Sequence, residues 1–298
     1  MLNIVLNIIL LILYIPEFPS GVGINDYTYR FHDADIISAD TLIPTTTDDV
    51  VKITRSWELP VELKNISAID YTSSGKMACL QDEVGSIFIF NLTTGKIEKE
   101  IPFGPPGDYE GLVLVKHHAY IACADGRILE VRNYKSDSPE VVEYGTHLTV
   151  NENVNGLCYD KKNKRLLVSI KGTEEGNQLY KGIYSFSLTD KRMPVKPVIK
   201  IDLKDSVFDK LQPKNVQTVF QPSDLDINPA NGLLYLIDGT RVQLLRIKLL
   251  ESIRDLTELD KEKIIQPEGI TFTPSGELFI ASKGLREEPG MLFRLRLK

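Results

Sequence analysis

The sequence predicts an all-β protein: a β-propeller of five four-stranded blades, with the N-terminal strand closing the last blade and six blades as the alternative. The first observation is a six-residue pattern recurring at residues 66–71, 109–114, 154–159, 222–227 and 267–272. Its second positions, 67, 110, 155, 223 and 268, lie 43, 45, 68 and 45 residues apart. The second is the shared continuation of each copy: a turn, a second apolar run, a Gly-containing hairpin and a third run. Units of four short strands repeating every ~40–50 residues belong to propellers, where each unit is a blade around a channel. The third is composition. Hydrophobic residues make up 42% of the 298 and charged residues 26%, so the chain can bury a core and is no disordered tract.

Taken in chain order, residues 1–15 form a signal peptide or membrane anchor. Residues 4–15 are apolar apart from Asn7, and Pro16 and Pro19 close the run. That is shorter than the ~20 residues of a spanning helix, and no Lys or Arg precedes it. A buried apolar segment is the competing reading. Residues 16–49, with Pro44, three consecutive threonines and Asp48-Asp49, read as a linker. Residues 50–298 are the propeller. Its opening strand, around Trp57, pairs with the three-stranded final unit and removes an exposed edge, and burial of Trp57 anchors it. The long interval carries an insertion of about 23 residues between Arg192 and Gln221. Residues 206–211 there suggest a helical turn. Residues 249–263, highly charged, read as a helical, solvated connection.

The balance of 35 Lys+Arg against 41 Asp+Glu, a net charge of −6, argues against nucleic acid as partner. Three cysteines cannot make a disulfide framework, and four histidines leave little for a His-rich metal centre. Cys79, Cys123 and Cys158 fall on strands and read as buried thiols. No nucleophile-elbow, P-loop or Cys-x-x-Cys pattern occurs.

The chemistry lies in the repeated positions. The second aligned residue is Ser67, Glu110, Asn155, Ser223 and Glu268, while the fourth is always Ile or Leu. Inner strands start at one mouth of the channel, so polar groups from five blades converge there. Two carboxylates in a narrow opening repel unless neutralised. Calcium takes oxygen ligands of these kinds, and Asp224 adds a further carboxylate. The plain alternative is that these groups hold water or cap turns, with Gly111, Gly156 and Gly269 present for close packing. A second set, Asp82, Glu83, Asp125, Lys171, Asp238 and Lys283, lies at the hairpins between second and third strands. It rims the same mouth as a site for a small-molecule or anionic ligand, against the plain reading that Asp-Gly and Lys-Gly are common turn pairs.

The segments Trp57-Glu58-Leu59-Pro60, Asp82-Glu83, Asp108-Tyr109-Glu110-Gly111-Leu112, Gly156-Leu157, Lys171-Gly172, Pro222-Ser223 and Pro267-Glu268-Gly269-Ile270 resemble the SdiA-regulated (YjiK/CarP-like) bacterial β-propeller family over about residues 50–298. The resemblance implies an exported or membrane-associated propeller, in some members linked to calcium, with a phytase-like phosphoesterase role suggested for part of the family. It makes Glu110 and Glu268 the mouth carboxylates. Asn155 departs from the family's Glu-Gly-Leu pattern and lowers the charge available to a cation. The expected function is therefore a non-enzymatic propeller of the cell envelope (periplasmic, secreted or membrane-anchored) that binds calcium or a small ligand at the channel mouth. The alternatives are a metal-assisted phosphoesterase using Lys171 and Lys283 for charge stabilisation, and a protein-interaction scaffold whose partner the sequence does not specify.

Overall fold

A computed structural model describes residues 51–297 apart from 73–74, 175, 177–178, 212–214 and 249–251. The expected leader and linker, residues 1–49, lie outside the described residues.

These residues form five four-stranded antiparallel sheets. Blade 1 is β2 (Ile66–Tyr71), β3 (Lys76–Gln81), β4 (Ser86–Asn91) and β5 (Lys96–Pro102). Blade 2 is β6 (Tyr109–Val115), β7 (His118–Cys123), β8 (Ile128–Arg132) and β9 (Glu140–Tyr144). Blade 3 is β10 (Val154–Asp160), β11 (Arg165–Ile170), β12 (Tyr180–Ser187) and β13 (Ile199–Asp202). Blade 4 is β14 (Pro222–Ile227), β15 (Leu233–Asp238), β16 (Gln243–Lys248) and β17 (Ser252–Glu258). Blade 5 is β18 (Pro267–Phe272), β19 (Leu278–Ser282), β20 (Met291–Leu297) and β1 (Val51–Glu58). The innermost strands touch in the cyclic order β2, β6, β10, β14, β18 and back to β2. The protein is a five-bladed β-propeller.

The ring closes as the sequence predicts. β1 runs antiparallel to β20, from Val51 opposite Leu297 to Glu58 opposite Met291. Trp57 secures this seam: its indole Nε1 donates to the Leu92 carbonyl of blade 1 at 2.8 Å, and the Arg55 guanidinium lies 4.5 Å above its ring. Buried apolar side chains fall into five clusters, each shared by two neighbouring blades. Strand alternation supplies this: each blade shows one apolar face to the blade before it and one to the blade after.

Two expectations about connections resolve differently. The insertion between Arg192 and Gln221 is no sixth blade. It supplies β13, then short 3-10 turns at Ser206–Phe208 and Val216–Thr218, and the Phe208 and Phe220 rings pack in the core with centroids 5.9 Å apart. The described part of the charged stretch is not helical; it contains β17. A bulge explains the misleading pattern. Leu245 pairs with Leu256 and Ile247 with Ile253, and the register shifts between Arg246 and Ile247. The extra residue puts Ile253 and Leu256 on one face although they are three apart, a spacing that imitates a helix.

Candidate functional site

The same device shapes the channel mouth. Every inner strand has a register shift at its first residues: between Ile66 and Ala68, Tyr109 and Gly111, Val154 and Leu157, Pro222 and Asp224, and Pro267 and Gly269. Ser67, Glu110, Asn155, Ser223 and Glu268 all fall within these bulges. A bulged residue has no ladder partner and its side chain is re-aimed, which frees these five for the mouth. The third position then packs closely against the next inner strand. A Cβ on Gly111 would lie 2.7 Å from Leu157 Cβ, and one on Gly156 would lie 2.7 Å from Asp224 Cα. Glycine is needed there for space.

A second ring stands beside the first. The residues that come directly after β3, β7, β11, β15 and β19 are Asp82, Ala124, Lys171, Gly239 and Lys283. Three of the predicted rim residues thus share one register. Lys283 Nζ crosses to Asp82 Oδ2 at 2.8 Å, joining blade 5 to blade 1. Lys171 Nζ reaches Glu268 Oε2 at 3.7 Å across blade 4, where Gly239 leaves room. Glu268 is also held through Oε1, which accepts from Gln266 Nε2 at 2.7 Å. Glu110 lies within electrostatic reach of Lys283, Glu268 and Lys171 together. Burial, with the Glu268 charge adding to it against the pull of the two lysines, pushes its carboxyl up to about 8. The acidic neighbours raise the Lys283 ammonium despite its burial.

Three buried oxygens at these positions have no hydrogen-bond partner: Ser67 Oγ, Asn155 Oδ1 and Asp82 Oδ1. Such groups are costly to leave unpaired. Ser223 differs, because its Oγ accepts from Gly239 N at 3.0 Å. Beside Lys171 and Glu268 a cleft of about 320 Å3 opens, walled by Gly239, Thr240, Gln266 and the apolar Ile265 and Leu285.

The other predicted site residues do different work. Asp224 is buried in the channel wall, where Oδ1 accepts from Leu157 N at 3.3 Å and Oδ2 from Ile270 N at 2.9 Å. It ties blade 4 to blades 3 and 5. Asp238 caps the turn after β15, accepting from Thr240 N and Arg241 N through one oxygen and from Gln221 N through the other, each at 2.8 Å. Asp125, one residue past the ring register, pairs with Arg127 at 2.8 Å. Glu83 is exposed. The three cysteines are buried and unpaired, as expected.

A deeper cluster escaped the sequence reading. At the fifth aligned position, Thr271 Oγ1 lies 3.3 Å from Asp70 Oδ1 and 3.2 Å from Asp226 Oδ2. Asp70 Oδ2 accepts from Leu114 N at 2.6 Å, and Asp226 Oδ2 from Phe272 N at 3.0 Å. Burial pushes both carboxyls up to about 7, and for Asp226 the neighbouring Asp70 adds to it. The available signal was an acid at the fifth aligned position of two inner strands, β2 and β14.

No family model matches the sequence, and no curated protein matches it. Solved structures do. A glutaminyl cyclase from Myxococcus xanthus superposes with a TM-score of 0.55 at 16% identity, over 84% of this chain and 98% of that one. The PQQ-bound aldose sugar dehydrogenase of Streptomyces coelicolor gives a TM-score of 0.54 at 12% identity, over 83% and 98%. At such identities the likeness is one of fold.

Proposed function

We propose that this propeller is a binding protein that takes a small polar ligand at the channel mouth, between the bulge ring and the hairpin ring. Ser67 and Asn155 in the bulge ring and Asp82 in the hairpin ring each hold a buried oxygen without a partner, and this carries the reading. Ligand pockets combine an enclosing wall with a few oriented polar groups, and a cleft of about 320 Å3 opens in the same two rings beside Lys171 and Glu268. The electrostatics favour a ligand with its own donors. The Lys171 and Lys283 ammonium groups already face the Glu268 and Asp82 carboxylates. Glu110, neutral over most of the range below 8, can donate a proton in a hydrogen bond. Hydroxyl and ammonium groups match the open acceptors on Asn155 and Asp82. A bare calcium ion would share its carboxylates with two ammonium groups, and among the described residues no three His, Cys, Asp or Glu side chains converge on a point. The apolar run at residues 4–15 supports a place at the cell envelope.

Calorimetric titration of the full chain tests this, with a polyol (glucose), a zwitterion (glycine) and calcium chloride as probes. Saturable heat is expected from glucose or glycine, weakened about tenfold or more in Asn155→Leu and in Lys171→Ala. Heat from calcium alone, abolished by Glu110→Gln, would replace the reading with a cation site. No saturable heat from any probe, or binding indifferent to both substitutions, would overturn it.

A further inference from the structure

The cleft beside Lys171 and Glu268 has an apolar side that the polar rings do not account for. Large apolar side chains stand exposed mainly at the mouth end of this protein. Val61, Val84, Val150, Leu179, Ile265 and Leu285 all lie in connections that lead into inner strands or join second strands to third. Apolar side chains scattered singly over a surface call for no explanation. Ile265 and Leu285 are not scattered. One comes from the connection into β18 and the other from the hairpin between β19 and β20, and both line the cleft of about 320 Å3. They are 38% and 40% exposed, which leaves apolar surface for a ligand to cover.

The charges lining the same cleft are only loosely paired. The two lysines of the hairpin ring differ in this respect. Lys283 Nζ is closed on Asp82 Oδ2 at 2.8 Å. Lys171 Nζ stands 3.7 Å from Glu268 Oε2, longer than a hydrogen bond. Among the described residues Lys171 Nζ makes no hydrogen bond at all. Only 24% of the Lys171 side chain and 2% of the Glu268 side chain are exposed, so both charges have given up most of their water. Gln266 Nε2 holds Glu268 through Oε1 at 2.7 Å and leaves Oε2 toward Lys171. An ammonium and a carboxylate side by side, not closed on each other, complement a zwitterion with the same two charges reversed.

We propose that the cleft takes an α-amino acid with an aliphatic side chain. Its carboxylate meets Lys171, its ammonium meets Glu268 Oε2, and its side chain covers Ile265 and Leu285. This rests on the reading of the mouth as a ligand site and narrows it to one ligand class. The volume suits so small a molecule, since ligand pockets span roughly 300–1,000 Å3. A longer aliphatic chain covers more of Ile265 and Leu285, and each buried methylene raises affinity about fourfold. An amine without a carboxylate leaves Lys171 unanswered. A carboxylate without an ammonium is repelled by Glu268.

The test is calorimetry on the full chain with glycine, leucine, isoamylamine and isocaproate as separate probes. Leucine should bind about tenfold or more tightly than glycine. It should also bind about tenfold more tightly than isoamylamine or isocaproate, each of which lacks one of its two charges. Ile265→Ser and Leu285→Ser should each cut the advantage of leucine over glycine severalfold. Val61→Ser, exposed at the same end but outside the cleft, should keep that advantage. In Lys171→Ala leucine should lose its preference over isoamylamine. Leucine binding no more tightly than glycine would overturn this inference and leave the mouth a site for polar ligands. So would an unchanged ratio in both serine variants, or isoamylamine binding the wild type as tightly as leucine. No saturable heat from leucine, glycine or glucose would overturn the reading of the mouth itself, and this inference with it.

Discussion

Two sets of buried acids lie along the same channel and are used in opposite ways. At the mouth, Glu110 and Glu268 sit in bulges and meet lysine side chains from other blades. In the wall, Asp70, Asp224 and Asp226 lie beyond the bulge and accept hydrogen bonds from main-chain amides of neighbouring blades. Register separates the two behaviours: the mouth acids hold the second aligned position, Asp224 the third, and Asp70 and Asp226 the fifth. A side chain past the bulge is packed against the adjacent inner strand, whose amides become its partners. A side chain in the bulge has lost its ladder neighbour and faces the axis. Acids in the wall therefore tie blades together through main-chain amides, while acids at the mouth meet lysine side chains.

The most severe trial of this division is to remove Asp224. Asp224→Ala leaves the Leu157 and Ile270 amides buried without acceptors, at ~1–3 kcal/mol each. Chemical denaturation should show a loss of about 3–5 kcal/mol; a loss below about 1 kcal/mol would mean that the wall acids do not tie the blades.

The next effect is a pH dependence. Asp70 and Asp226 stand near 7 in the fold against 3.8 for the free side chain. Between those values the folded state binds more protons than the unfolded chain, so their contribution is complete below about 4 and is lost as pH rises through about 7. Replacing both by Asn should remove that fall. The wild type should lose several kcal/mol more than the double variant between pH 4 and pH 8, up to about 4 kcal/mol per carboxyl, read from melting temperatures across the range. Equal slopes would show that burial does not hold these two carboxyls protonated in the fold.

The smallest effect belongs to the mouth. Glu110→Gln keeps the size of the side chain and is expected to alter stability by less than about 1 kcal/mol at pH 7, because Glu110 is mostly protonated there already. A large loss in urea unfolding would move Glu110 into the structural set and erase the distinction between the two regions.

The same geometry governs how much of the site is legible in the sequence. The bulge ring was legible, because polar residues recur at one position ahead of an invariant apolar one. The hairpin ring was half legible. Asp82, Lys171 and Lys283 fall in register, but Asp125 and Asp238 sit one residue to either side of it, and a turn written Asp-Gly looks the same in both places. Asp238 is spent on three turn amides. Asp224 looked like a ligand since nothing in a linear sequence says which side of a bulge a carboxylate falls on. The strand β17 was hidden for a related reason, with its bulge turning an alternating pattern into a helical one.

Period and alternation along the chain favoured five blades over six and were enough to give their four-strand composition and the closing of the ring through Val51–Glu58. Each copy of the unit repeats the same local signal, so these features need no knowledge of the folded ring. Which charges meet is settled only when the blades are assembled. Lys171 finds Glu268 across 97 positions of chain, and Lys283 finds Asp82 across 201. Such pairings depend on the angle at which blades are set around the axis and on a side chain's exact register. A one-residue shift in a strand reverses its direction while leaving the composition untouched.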